Sequence, residues 1–346
     1  MKNILITVMI LMTICVFSNE KFTQIRVVNE ETNKQFAEYT PYFEISEKFA
    51  VIPGLNEKLI PQGMGYIEDK NWFVLSYYRS TGASVLSCVD ADTGTLIKSV
   101  PVSNEDGTIY TGHAGGVAVS RLNLWISSGG FLRRIPLSDL YAAQDGEIVR
   151  IVDKFNTGTN ASFVTFNDDV LWVGEFFHDG NYLTNTDHYV RISIFEVNHS
   201  WVTGFKVDAQ TDLVQKAVAD TGADPVVPDY ILSIPDIVQG IVVADNGEII
   251  LSRSYGRGND STISVYHPIV FEEPVTLKTI EGVEVPIWVL SSKTLSGKIT
   301  ALPMSENIYL KDDMLYILYE SAGEKYRATT KYATDYIWKM KLDLLK

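Results

Sequence analysis

Five stretches of this chain follow one plan: a small or polar opening, an apolar strand, a short turn, and a second apolar strand ending in polar or aromatic residues. They read QGMGYIEDKNWFVLSYY from Gln62, HAGGVAVSRLNLWISSGG from His113, SFVTFNDDVLWVGEFF from Ser162, QGIVVADNGEIILSRSYGR from Gln239 and ALPMSENIYLKDDMLYILYES from about Ala301. Two apolar runs of strand length joined by a turn carrying Asp, Asn, Lys or Arg make an antiparallel hairpin. A hairpin cannot bury both faces alone, so five in series predict a ring of packed sheets, an all-β, five-bladed β-propeller. Further strand-like runs, such as SVLSCVDADTGTLIKSV with its Asp92-Thr93-Gly94 turn, bring each blade to four strands.

The openings are 51, 49, 77 and 62 residues apart, and the excess falls in two insertions. One comprises His178 to Asp187 with Ala209 to Pro228, the other Ile269 to Gly297; both are loop-rich and suited to covering a face. The fifth blade has only Asp335 to Leu342 as a third strand, so its outer strand is expected from the segment around Phe49 to Pro53. That pairing closes the ring without a free edge. Six blades is the structural alternative, with the extra blade in Phe22 to Leu59 or Ile269 to Gly297.

Residues 1–18 read as a secretory signal peptide: Lys2 precedes an uncharged run from Asn3 to Ser18, with Val16 and Ser18 as the small residues of a cleavage site. The expected product is residues 19–346, a single secreted, monomeric domain with no membrane segment of its own. Cleavage removes Cys15 and leaves Cys88 as a buried structural thiol in an apolar alternation. Without a disulfide, stability has to come from burial. With 43 acidic against 29 basic residues and a net charge of −14, the surface is unsuited to nucleic acid or anionic membrane.

In a propeller the loop entering each innermost strand and the loop leaving the second strand share a face. The entering set is Gln62, His113, Ser162, Gln239 and the stretch near Thr300. The leaving set is Tyr77, Tyr78, Arg79, Ser127, Ser128, Glu175, Arg253, Tyr255, Arg257, Tyr319 and Glu320. Acids, guanidinium groups, aromatic walls and a histidine converging on one mouth suit a small polar or anionic molecule or a peptide end, Arg supplying bidentate contacts. The same groups also suit a self-satisfied polar plug with ordered water. The residues expected to line the mouth are Gln62, His113, Ser162, Glu175, Gln239, Arg253, Tyr255, Arg257 and Glu320, with Glu175 or His113 as the general acid or base if the mouth is catalytic.

No HExxH, EF-hand loop or paired Cys and His spacing occurs, and no cofactor motif is evident. Calcium or another cation held on the axis by backbone carbonyls would leave no motif and stays open. Sequons stand at Asn160, Asn198 and Asn259, the first and last near the expected mouth.

The series PQGMGY, GHAGGVAV, LWISSGG, ASFVTF, LWVGEF, SIPDIVQGIVV and LSRSYGRGNDS, from Pro61 to Tyr266, resembles a group of secreted propeller-like proteins of bacteria and eukaryotic microbes. That resemblance implies the fold and a functional mouth, with no reaction attached. PQGMGY followed by STGASVLSCVDADTGTLIK is similar to the first blade of plant-type glutaminyl cyclases, five-bladed propellers that cyclise N-terminal glutamine. The likeness spans one blade. That family carries an acidic residue where this chain has His113-Ala114-Gly115-Gly116, so no catalytic residue is carried over. Three readings follow: a ligand-binding mouth, an enzyme (hydrolase, lyase or glutaminyl-cyclase-like aminoacyltransferase) using that mouth, or an interaction scaffold acting through the insertions.

Overall fold

The computed structural model describes residues 20–218 and 224–345, so the proposed signal peptide lies outside the described residues. Five sheets form the blades of a propeller, each beginning with its innermost strand. Blade one runs Ile60–Ile67, Trp72–Tyr78, Val85–Asp90 and Leu96–Ser103. Blade two runs Val117–Val119, Asn123–Ser128, Phe131–Pro136 and Asp153–Asn156, and blade three starts Phe163–Asn167, Val170–Gly174, Ser200–Lys206 and Tyr230–Ile234. Blade four runs Val238–Val243, Ile249–Arg253, Ser261–Tyr266 and Leu295–Ala301. Blade five has Ser305–Lys311, Met314–Tyr319 and Tyr336–Lys341, and its outermost strand is the N-terminal Ser46–Val51, antiparallel to Tyr336–Lys341. The expected closure therefore holds, three residues earlier in the chain than the sequence placed it.

The six-bladed alternative is overturned. Ile269 to Gly297 builds a hairpin, Thr276–Ile280 with Val283–Val289, whose second strand pairs parallel to Tyr230–Ile234 and widens blade three to six strands. The segment before Ile60 wraps blade five rather than forming a sheet of its own. A second correction concerns the fifth opening: Ala301 ends blade four, and the innermost strand of blade five starts at Ser305.

Alternating strands place apolar side chains on both faces of each blade, and every junction between neighbouring blades has its own apolar cluster. Between blades one and two it includes Val74, Leu86, Cys88, Leu124 and Ile126; between three and four, Phe163, Trp172, Ile241 and Leu251. Each fully buried Leu, Ile or Phe there stabilises the fold by about 1.5–3 kcal/mol relative to its exposed state. Nearer the axis the strands come too close for side chains. A Cβ on Gly116 would lie 2.5 Å from the Val164 amide nitrogen, and one on Gly63 would meet Val117 and Gly115 backbone atoms.

Candidate functional site: the axial mouth

The innermost strands of three blades carry a register slip at their entrance, and the slipped residue turns toward the axis. The slips fall between Pro61 and Gly63, between Val238 and Gly240, and between Ser305 and Ile308. An extra residue in one strand leaves the ladder and re-aims its side chain. Gln62, Gln239 and Glu306 are aimed in this way into a cavity of about 640 Å³, which Tyr78, His113, Ser162, Tyr255, Arg257, Glu320, Lys325 and Tyr326 also line.

A hydrogen-bonded chain crosses it. The Gln62 amide nitrogen donates to the Pro61 carbonyl at 2.7 Å and to Glu320 Oε2 at 3.1 Å. With both amide hydrogens committed to acceptors, Gln62 Oε1 accepts from His113 Nε2, 2.6 Å away, which fixes the neutral His113 tautomer and leaves Nδ1 as an acceptor. The His113 ring stacks on Tyr78 with centroids 3.9 Å apart, and the Tyr78 hydroxyl meets that of Tyr326 at 3.0 Å. Arg257 lies over the Tyr326 ring, 5.0 Å from its centroid, and donates to Thr329.

Electrostatically the mouth is an acid pair inside a basic rim. Burial raises the Glu306 pKa well above the ordinary carboxylate range, and the neighbouring Glu320 carboxyl raises it further. Burial also pushes Glu320 up to about 7, against the opposing pull of its Gln62 hydrogen bond, Glu306, Lys325 and Arg257. Surrounding protein, then Lys325, lowers the His113 pKa, although its solvent-open edge keeps part of its hydration. Two carboxyls set against each other do not both ionise readily near neutral pH. Among the described residues no group of three or more His, Cys, Asp or Glu is arranged to hold a metal ion.

Seven of the nine residues expected from sequence line this cavity: Gln62, His113, Ser162, Gln239, Tyr255, Arg257 and Glu320. Two do not. Glu175 is 1% exposed and accepts from His188 Nδ1 at 2.7 Å and the Trp201 amide at 3.0 Å, which ties the residue just after the His178 to Asp187 insertion to blade three. Arg253 donates from Nε to the Asp236 carbonyl and lies in a separate groove beside Thr262 and Lys298. Within the leaving set, Tyr77 and Tyr319 are buried in blade junctions and Arg79 is paired with Glu20. The His178 to Asp187 insertion does reach the mouth, where His178 stacks on Tyr255 at 3.6 Å and Asn181 donates to the Tyr255 hydroxyl.

Glu306, Lys325 and Tyr326 were not anticipated. Glu306 had a signal, since Glu306-Asn307 takes the place that Gln62-Gly63 and Gln239-Gly240 hold in their strands. Lys325 and Tyr326 come from a turn without periodicity. Of the sequons, Asn160 and Asn259 are exposed near the mouth, whereas Asn198 is buried and donates to Ser233 and the Leu290 carbonyl, leaving its amide no room for a glycan. A larger cleft of about 890 Å³ opens on the opposite face around Trp172, Tyr230 and Phe271, but its ionisable residues Asp168, Asp169, Lys206 and Asp245 are all exposed.

No family model matches the chain, and no curated protein matches it in sequence. Among solved structures it is similar to Myxococcus xanthus glutaminyl cyclase, at 9% identity over 86% of this chain and 92% of that one, with a TM-score of 0.41. It is also similar to the PQQ-bound aldose sugar dehydrogenase of Streptomyces coelicolor, at 14% identity over 86% and 97% with a TM-score of 0.46. The gluconolactonase XC5397 of Xanthomonas campestris stands at 12% over 86% and 89%, with a TM-score of 0.40. At such identities and scores these likenesses say nothing about ligand or reaction.

Proposed function

We propose that this protein is a secreted, monomeric propeller that binds a small polar molecule, or the end of a peptide, in its axial mouth. The observation carrying the proposal is the Glu306 and Glu320 pair, held against each other in a cavity large enough for a small ligand. Burying two carboxyls side by side lowers the stability of an empty fold, so such pairs gather at sites where a ligand or a proton is handled. Gln62, Gln239 and Ser162 supply amide and hydroxyl contacts, Tyr255 and Tyr326 the walls. Arg257 and Lys325 at the rim suit an anionic portion of the ligand, while the acid pair suits a neutral or cationic one.

A second reading, an enzyme working in the same mouth, is favoured by Glu320, whose pKa of about 7 suits a group that both accepts and donates a proton at neutral pH. In that reading Glu320 takes the role first given to Glu175, and Gln62 orients it. Hydrolysis, elimination and cyclisation of a glutaminyl end each require such a group.

The test is a thermal-shift panel of sugars, nucleotides, organic acids, divalent cations and short peptides against the wild type and Glu320→Gln. A compound that raises the wild-type midpoint and fails to raise that of the folded variant supports the mouth. Equal shifts in both proteins with no turnover of the compound, or no shift with any compound, count against it. Turnover of that compound, lost in Glu320→Gln with binding kept, selects the enzyme.

A further inference from the structure

We propose that the strand Thr276–Ile280, on the rim of blade three, accepts an extended, basic-flanked segment of a partner polypeptide as a seventh strand of that sheet. This goes beyond the mouth and uses none of its residues.

An unpaired sheet edge offers a row of N–H and C=O groups to any passing strand, and folded proteins cover or charge such edges. The other blades do so. Leu96–Ser103 of blade one pairs with Val149–Arg150. Asp153–Asn156 of blade two is bridged by Pro225 and receives the Val226 amide. Leu295–Ala301 of blade four is packed by the turn and short helix carrying Tyr39 and Tyr42, and Ser46–Val51 of blade five is held by the Gln24 side chain. Blade three differs: Thr276–Ile280 ends the sheet and, among the described residues, pairs only with Val283–Val289.

Its sequence, TLKTI, contains neither proline nor glycine, and the single charge is drawn off the edge. Lys278 donates to the Asp187 carbonyl at 2.7 Å and sits over the Trp201 ring at 4.6 Å. Apolar side chains stand in solvent along the hairpin, Val275 70% exposed and Leu277 52%. The flanks carry exposed Glu272, Glu273, Glu281 and Glu284, and none of these forms a salt bridge among the described residues. An apolar edge between four free carboxylates fits an extended segment with alternating apolar residues and Lys or Arg at its ends, main-chain bonds giving affinity and the flanks giving selectivity. A second copy of this chain is the wrong occupant, because it brings the same carboxylates and a net charge of −14.

The experiment uses the full chain and a synthetic peptide of alternating valine and threonine between paired lysines. Binding is read by fluorescence anisotropy at low and high salt, and the bound site by amide hydrogen exchange. Expected are slowed exchange at Thr276–Ile280, loss of binding when a central valine of the peptide becomes proline, and roughly tenfold weaker binding with glutamates in place of the lysines at low salt. Leu277→Asp should abolish binding. If that variant fails to fold, Glu272→Gln with Glu273→Gln, both exposed, should weaken binding and flatten its salt dependence. The proposal is overturned if the proline peptide binds equally, if protection appears elsewhere, if these amides are already slow in the free protein, or if the chain sediments as a dimer through this edge.

Discussion

The most consequential side chains are those whose protonation differs between folded and unfolded chain. Glu320 moves from 4.5 to about 7 on folding, and Glu306 moves in the same direction. A carboxyl raised in this way favours the fold below its unfolded pKa, and that contribution is lost as pH climbs through the folded value. Wild-type stability should therefore fall, relative to Glu320→Gln, between about pH 4.5 and pH 7. Each unit of raised pKa weakens the ionised fold by about 1.4 kcal/mol. Thermal melts of the two proteins across that range check it; parallel curves would show that the pair is not strained. His113 acts the other way, its lowered pKa costing stability as pH falls below about 6.5. Cys88 is fully buried and its thiol is pushed up to about 12 by burial. A thiol reagent should leave it unmodified in the native protein at pH 8 and label it once denaturant is added, a contrast readable in one absorbance trace.

Strands and the turns between them explain what the sequence could and could not reveal. Gln62 and Gln239 were legible because each stands before a glycine at the start of an apolar alternation, and the bulge that aims them recurs at both. Glu306 shares that bulge, but the apolar Ala301, which ends the preceding blade, and Leu302 in the connection after it drew the apparent start of the repeat forward. Glu175 and Glu320 follow their strands in the same pattern and diverge only beyond it, where the Trp201 amide and His188 capture Glu175. Arg253 lies within its strand, so alternation commits it to a blade face. Close strand approach at the axis yields its own expectation: Gly116→Ala, which drives a Cβ against Val164 and Phe163 backbone atoms, should destabilise by about 1–3 kcal/mol in a denaturant titration. A neutral effect would mean that the inner strands can spread.

At the scale of the molecule, the ring depends on a strand from one end of the chain lying beside a strand from the other. Asp335, fully buried, accepts from the Val27 and Val28 amides and ties the same two ends again. Asp335→Ala should lose about 1–3 kcal/mol through the two stranded amides. Deleting the chain up to Val51 should go further, broadening the thermal transition as blade five loses its outer strand; an unchanged, sharp transition would show that three strands suffice there. The five-blade count was readable because the hairpin plan repeats, whereas the hairpin of Ile269 to Gly297 carries no copy of that plan and joined blade three through a parallel pairing that local sequence does not specify.

That seam between the two ends also has a place in time. Ser46–Val51 leaves the ribosome about 290 residues ahead of its partner Tyr336–Lys341. At about 5–20 residues per second, roughly 15 to 60 seconds pass while the first strand has nothing to pair with. The nascent chain must therefore be kept from pairing with its neighbours until translation has delivered the residue that closes it.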